Sequence, residues 1–161
     1  MKAAVFHKPG DALTIETVPQ PSISDREMLV KVSHCGICGT DLHAVKHTEA
    51  LIKTSREVGG GFKLTTDQPV VLGHEFCAEI IDYGSGTDRT YATGQLVCSM
   101  PVLLRPQTVG LGYSDQAPGG FSEYMVLSEA LLEPVPAGIS AEQAALTEPL
   151  AVGRHAVAKA R

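Results

Sequence analysis

Residues 34–43 read HCGICGTDLH, from His34 to His43, and bring thiols, a hydroxyl, a carboxylate and imidazoles into one short length of backbone. These are the groups that bind transition metals and move protons in proteins. A second segment, Gly73-His74-Glu75, adds an imidazole and a carboxylate directly after the apolar run of residues 70–72. The two segments together predict a zinc site built from two loops.

The composition is typical of a soluble globular domain. The chain has 161 residues, of which 43% are hydrophobic and 19% charged, and its formal net charge is -5. A chain of this length is expected to form one domain, and an acidic chain without a basic stripe argues against a nucleic-acid partner. The apolar run at residues 3–6 is too short for a membrane span and lacks the features of a signal peptide.

The cysteines bear on the cellular compartment. They are Cys35, Cys38, Cys77 and Cys98. In a chain without an export signal, cysteines are more often free thiols or metal ligands than disulfides. We therefore expect the protein in the cytoplasm.

Alternating apolar and polar residues predict strands through most of the chain. Residues 3–7 and 13–18 flank a turn at residues 8–11 and predict an antiparallel hairpin. Further strands are predicted at residues 28–33, 69–72, 75–83, 95–99 and 121–127. This pattern favours a mainly β barrel or sandwich, with a short helix at residues 42–45.

Other stretches lack a strand pattern. Residues 46–68 carry charges, threonines and Gly59-Gly60-Gly61 without a sustained period, which predicts a long surface loop. Residues 100–120 are predicted to be irregular. Ser140 and Gln143 fit a capping box that begins a helix, Pro149 predicts an interruption of that helix, and residues 150–161 resume a helical composition.

Spacing alone leaves the metal ligands open. A buried cysteine and a hydrogen-bonded core histidine explain Cys38 and His74 about as well as metal binding does. Cys35 and Cys38 could also form half of a structural zinc knuckle, but Cys77 and Cys98 are single cysteines and do not supply the other half.

Four segments, in order, resemble landmarks of the zinc-dependent medium-chain alcohol dehydrogenases, in the branch of sorbitol, butanediol and threonine dehydrogenases. They are residues 34–43, Gly73-His74-Glu75, residues 119–124 (GGFSEY) and residues 148–153 (EPLAVG). The resemblance covers essentially the whole chain and implies a mainly β fold, a GroES-like β-barrel with short helices and a C-terminal helical segment. Residues 1–147 would form the GroES-like catalytic domain, and residues 148–161 would begin the linker helix toward an absent nucleotide-binding domain.

The resemblance also implies roles for individual residues. Cys38 and His74 would bind a catalytic zinc ion, and Glu75 or Glu148 would complete the ligand set, directly or through water. Asp41 would orient the ligand histidine, as a carboxylate behind such a ligand commonly does. Alcohol dehydrogenase is itself a well-known enzyme whose catalytic zinc has three protein ligands. The ligand assignment in this chain therefore rests on the resemblance and not on the spacing of the residues.

The expected chemistry is hydride transfer. Zinc acts as a Lewis acid that lowers the pKa of an alcohol, which can then release a hydride to a nicotinamide ring. By resemblance, Thr40 takes the proton of the alcohol and His43 passes it outward. Taken alone, Thr40 fits a helix cap equally well, and His43 fits a surface histidine better. The parent enzyme would oxidise a secondary alcohol or polyol to a ketone with NAD or NADP, and we expect it to be a homo-oligomer.

The chain departs from the family pattern in two respects. Residues 100–105 contain no cysteine where the family's structural zinc lobe begins, so we expect one catalytic zinc and no structural zinc. No G-x-G-x-x-G fingerprint follows a predicted strand, because residues 110–115 (GLGYSD) end in aspartate and are better explained as a turn. We therefore expect these residues alone to be an inactive fragment of the parent enzyme.

Two other functions are compatible with the same fold. A co-chaperonin-like subunit would use the barrel for ring assembly and residues 46–68 for partner contact, and a zinc-binding module would hold the metal without alcohol chemistry. A co-chaperonin has no need of Cys38, Thr40, Asp41, His43 and His74 in register. The choice of alcohol, and of NAD or NADP, would depend on the absent domain.

Overall fold

A computed structural model describes residues 1–59, 64–65 and 67–160. Its strands are β1 Lys2–Phe6, β2 Thr14–Thr17, β3 Glu27–Gly36, β4 Val70–Val71, β5 Glu75–Tyr83, β6 Leu96–Ser99, β7 Val102–Leu103, β8 Val109–Gly110, β9 Tyr124–Ser128 and β10 Leu132–Pro134. Its helices are α1 Gly39–Lys46, α2 Thr48–Glu57, α3 Ala141–Ala144 and α4 Thr147–Lys159, with a short 3-10 helix at Glu129–Leu131. The predicted mainly β fold with a C-terminal helical segment is confirmed. Across these described ranges, no helix is long and apolar enough to cross a lipid bilayer.

The strands form three sheets. A five-stranded sheet has the order β10-β6-β5-β3-β9, a three-stranded sheet has the order β2-β1-β4, and β7 pairs with β8. β1 and β2 pair antiparallel, which confirms the predicted hairpin. The main hydrophobic core packs on the five-stranded sheet, around the fully buried side chains Met28, Val30, Ile80, Met125 and Leu127.

The pairing of β3 with β5 brings the two predicted loop segments together. These strands run antiparallel, and their last paired residues are Gly36 and Glu75. A side chain at Gly36 would collide with the carboxylate of Glu75, so any other residue there would push that carboxylate out of its observed position. Cys38 therefore lies two residues beyond the end of β3, and that end lies beside Glu75.

Residues 119–121 hold the turn before β5 in place. The backbone N–H of Gly119 donates to Val71 O at 2.8 Å, and that of Phe121 donates to Leu72 O at 3.0 Å. Gly73 has a φ of 97°, and a side chain at this position would collide with Phe121. The GGF sequence and Gly73 thus form one packed unit, which fixes the position of His74.

The predicted long loop at residues 46–68 is wrong in part, because α2 occupies Thr48–Glu57. Leu51 and Ile52 are the apolar residues of this helix that pack against the cluster around Phe6 and Leu64. The segment is polar on average, and tertiary contact of these two residues with that cluster supplies the stabilisation. Residues 60–63 and 66 of the predicted loop lie outside the described residues.

The predicted interruption at Pro149 is also wrong. Helix α4 runs without a break from Thr147 to Lys159, and Pro149 lies in its first turn. The N–H groups of a first turn have no partner within the helix, so proline costs little there. The capping box of Ser140 and Gln143 is confirmed at α3. Arg161 lies outside the described residues.

The stretch at residues 100–120 is more ordered than predicted, because it contains β7 and β8 and is fixed by an ion pair with a buried carboxylate. Arg105 Nε donates to Glu27 Oε1 at 2.7 Å, and a second guanidinium nitrogen donates to Glu27 Oε2 at 3.0 Å. The Glu27 side chain is only 2% exposed. This ion pair ties the segment after β7 to the first residue of β3.

We predict that Arg105→Ala lowers the free energy of unfolding by about 3 kcal/mol, because it leaves the buried Glu27 carboxylate without its cation. Urea denaturation measures this change. Lys53→Ala serves as the control, since Lys53 pairs with Glu57 on an exposed helix surface, where loss of an ion pair costs only a few tenths of a kcal/mol, about 0.3–0.5. Equal effects of the two substitutions would contradict the prediction.

Candidate metal centre

Three side chains from the two predicted loop segments converge. A ligand atom of each of Cys38, His74 and Glu75 lies within 4.8 Å of the others. His74 and Glu75 are buried and Cys38 is half-buried. Thiolate sulfur, imidazole nitrogen and carboxylate oxygen are the three ligand types that zinc accepts.

Helix α1 positions Cys38 and Asp41 together. Cys38 is the residue that precedes the helix, and its backbone N–H donates to Asp41 Oδ2 at 3.0 Å. Asp41 is therefore the third helical residue of a capping box and not the cap itself. Its other carboxylate oxygen lies 3.4 Å from His74 Nδ1, so the structure brings Asp41 beside the candidate ligand histidine.

Tyr113 is a member of this cluster that the sequence did not reveal. Its hydroxyl lies 3.0 Å from Asp41 Oδ1 and 3.1 Å from His74 Nδ1. Tyr113 belongs to residues 110–115, which the sequence indicates only as a turn. Its partners are distant in the chain, and no local pattern signals a contact of that range.

Acidic groups surround His74. Burial of the ring opposes its charged form, but the polar contact and charge of Asp41, with the charges of Glu148 and Glu75, raise the pKa of His74 above its ordinary value. Burial, with the neighbouring Glu75 and Asp41, raises the pKa of Glu148. For Asp41, burial is outweighed by the polar contact with His74, by the charge of His74 and by hydrogen bonds from Cys38 and Tyr113, and its pKa is lowered. A cation among these groups would relieve their mutual repulsion.

The remaining cysteines are not among the three converging side chains, although Cys35 lies close enough to Asp41 and Glu75 to feel their charges. Burial raises the pKa of Cys35 to about 12, and its thiol donates to Gly36 O at 3.4 Å. Cys77 and Cys98 are buried beneath α3, where the Cys98 thiol donates to Ala144 O at 3.1 Å. In the part of the chain that the structure describes, these cysteines do not join a group of three metal-ligating side chains.

A cavity of about 510 Å³ opens onto the cluster. Its polar end consists of Cys38, Thr40, His74, Glu75 and Glu148, and its apolar walls include Pro101, Val102, Leu111 and Val152. This volume is in the range of sites for small organic ligands. Glu148 comes from the first turn of α4 and borders the cavity without belonging to the group of three.

Thr40 and His43 occupy different positions. Thr40 lines the polar end of the cavity, and its hydroxyl oxygen lies 3.6 Å from Cys38 Sγ. His43 is exposed and is not part of the cavity lining. Its ring contacts that of His47, with 5.9 Å between the centroids.

Residues 24–137 match the family model of the alcohol dehydrogenase GroES-like domain. The chain belongs to this family. The match includes Cys38, Asp41, His74 and Glu75, and ends before Glu148. The landmarks at residues 34–43, 73–75 and 119–124 all fall within this GroES-like domain.

Several longer dehydrogenases are similar to the chain over almost its full length. It is 36% identical over 168 aligned residues to (R,R)-butanediol dehydrogenase of Bacillus subtilis, covering 98% of the chain. It is 33% identical to sorbitol dehydrogenase of the same organism, covering 100% of the chain. The crystal structure of 2R,3R-butanediol dehydrogenase from Bacillus subtilis superposes with a TM-score of 0.75 at 32% identity, covering 97% of the chain. The chain spans 46% of the length of each of these proteins.

We predict that Cys38→Ser lowers zinc affinity by about a hundredfold or more. Changes behind a metal ligand already cost about 10–100-fold, and loss of a ligand should cost at least as much. Zinc content after dialysis and the thiolate charge-transfer band of the Co²⁺-loaded protein measure the effect. Cys35→Ser is the matched control. Unchanged zinc content in both Cys38→Ser and His74→Ala would contradict the proposed site.

The two candidate glutamates can be separated in the same way. We predict that Glu75→Gln weakens zinc binding more than Glu148→Gln, because Glu75 lies within 4.8 Å of the other two donors. Competition with a chromophoric chelator gives both affinities. A larger loss in Glu148→Gln would instead identify Glu148 as the direct ligand.

Proposed function

We propose that the chain is the zinc-binding catalytic domain of a nicotinamide-dependent dehydrogenase that oxidises a secondary alcohol or polyol to a ketone. The observation that carries this proposal is the convergence of Cys38, His74 and Glu75 at the polar end of a ligand-sized cavity. Its similarity to butanediol and sorbitol dehydrogenases supports the class of substrate.

The donor set fits one catalytic zinc ion. Cys38, His74 and Glu75 would supply three ligands, and a catalytic zinc site keeps a fourth position open. Glu148, which lines the same cavity, would contribute through water or as an alternative ligand. The acidic surroundings of His74 support a cation at this point, because they carry excess negative charge in a partly buried site.

The other residues around the cavity would transfer the proton of the substrate and position the ligand histidine. The bound metal would lower the pKa of the substrate hydroxyl, which is the chemistry it contributes. Thr40 would accept the proton of that hydroxyl at the polar end of the cavity while giving up its own hydroxyl proton, which His43 would pass to solvent. The exposure of His43 suits transfer to bulk water, although a water molecule or another group would have to connect it to Thr40. Asp41 would hold His74 in position.

The same proposal divides the chain into a catalytic domain and the start of a linker helix. Residues 1–147 would be the catalytic domain, and residues 148–161 would begin the linker helix toward the domain that holds NAD or NADP. Every residue of α4 is at least partly exposed, including Leu150, Val152 and Val157, which suits a helix that packs on another domain. We further propose a homo-oligomeric parent enzyme in the cytoplasm, a compartment in which free cysteines persist.

The test uses the whole reading frame that encodes these residues. We expect its zinc-loaded product to reduce NAD⁺ or NADP⁺ when 2,3-butanediol or a polyol is added, with absorbance of the reduced nicotinamide as the readout. The Cys38→Ser product should lack this activity. A reading frame that ends at Arg161, with a product that binds zinc and turns over no alcohol, would favour the zinc-binding module instead.

In the active product, we predict that Thr40→Val lowers kcat by about a hundredfold, the lower end of what a positioned proton acceptor contributes. Valine keeps the branched shape and removes only the hydroxyl, so zinc content should stay unchanged. The initial rate at saturating alcohol and metal analysis together measure this. Thr48→Val is the matched control, since Thr48 is a buried threonine of α2 that bonds to Ala44 O away from the cavity. A normal kcat in Thr40→Val would exclude its role as proton acceptor.

A further inference from the structure

The hydroxyl of Tyr113 lies between Asp41 and His74. Its distances to Asp41 Oδ1 and His74 Nδ1 are 3.0 and 3.1 Å, whereas the direct distance from Nδ1 to Oδ1 is 3.4 Å. Strong N–H···O hydrogen bonds span about 2.7–3.2 Å. The contact through Tyr113 is therefore the closer connection between the histidine and the carboxylate.

Counting protons settles the direction of these hydrogen bonds. Tyr113 has one hydroxyl proton, and the Asp41 carboxylate can only accept. If the tyrosine donated to His74 Nδ1, its oxygen would face Asp41 Oδ1 at 3.0 Å with no proton between them. If it donates to Asp41 instead, the Nδ1–H of His74 donates to the tyrosine oxygen and all three groups are satisfied. In the neutral ring, this arrangement leaves the lone pair of Nε2 free.

The backbone around Tyr113 is fixed at several points. Gly112 has a φ of 77° and its N–H donates to Ala117 O at 3.1 Å, while a side chain at Gly112 would press on the backbone of Gly73. The Tyr113 ring is only 4% exposed, and its centroid lies 5.2 Å from that of His74. The hydroxyl is thus held by packing and is not a mobile surface group.

We propose that Tyr113 is a positioning residue, which holds His74 in the Nδ1–H tautomer and so presents Nε2 to the metal. The proposal rests on the zinc site described above. Residues 100–120 are then part of that site, because they carry the hydroxyl that connects Asp41 to the ligand histidine.

Tyr113→Phe tests this, because phenylalanine keeps the buried ring and removes only the hydroxyl. We expect zinc affinity to fall about 10–100-fold, the usual effect of removing a hydrogen-bond partner behind a metal ligand. Competition with a chromophoric chelator measures the affinity. Tyr91→Phe is the matched control, since the Tyr91 hydroxyl donates to Leu132 O at 3.1 Å away from the cavity.

A second readout does not depend on zinc. In the metal-free chain, two-bond ¹H–¹⁵N spectra of the imidazole, recorded where the ring is neutral, should show the Nδ1–H tautomer of His74 in the wild type and in Tyr91→Phe. In Tyr113→Phe we expect a mixture of tautomers with little change in Tm. An unchanged tautomer and unchanged affinity in Tyr113→Phe would overturn the proposal. A wild-type chain that binds no zinc but shows this change in tautomer would overturn the proposed function and leave the positioning role of Tyr113 standing.

Discussion

The end of the β3·β5 pair is the constraint on which the candidate site depends. Gly36 opposes Glu75 there, with no room for a side chain between the strand and the carboxylate. Because the strands are antiparallel, the residues after β3 and before β5 lie at the same edge of the sheet. Cys38, His74 and Glu75 meet for this reason, although His74 comes 36 positions after Cys38 in the chain.

Asp41 joins the local structure of α1 to the chemistry of the site. One carboxylate oxygen accepts the N–H of Cys38 and thereby completes the first turn of the helix. The other faces Gly73, His74 and Tyr113. A single buried carboxylate thus fixes the loop that carries the thiol and the turn that carries the imidazole. Because both oxygens of this carboxylate are engaged, the short helix α1 can hold the candidate ligand Cys38 in a defined position.

The segment between β6 and β9 shows how a stretch without a clear pattern becomes part of a site. Arg105 ties it to Glu27 at the start of β3, and Gly112 lies against Gly73. Tyr113 is delivered to His74 by these long-range contacts. Propensity and periodicity describe neighbours in sequence, so they give no indication of such a contact. The same limit applies to α2, whose Leu51 and Ile52 acquire their packing partners only in the folded chain.

The sequence by itself determined the mainly β fold, the hairpin of β1 and β2, the strand β5 and the capping box at Ser140, because each of these has a local signature in alternation or in turn and cap residues. It also indicated Cys38, His74, Glu75 and Glu148 as candidate ligands, with Asp41, Thr40 and His43 beside them. Only the tertiary structure decided that Glu75 lies with Cys38 and His74 while Glu148 borders the cavity, that His43 is exposed, and that Tyr113 connects Asp41 to His74. Those distinctions depend on strand register and on the packing of residues 100–120, which are properties of the whole fold.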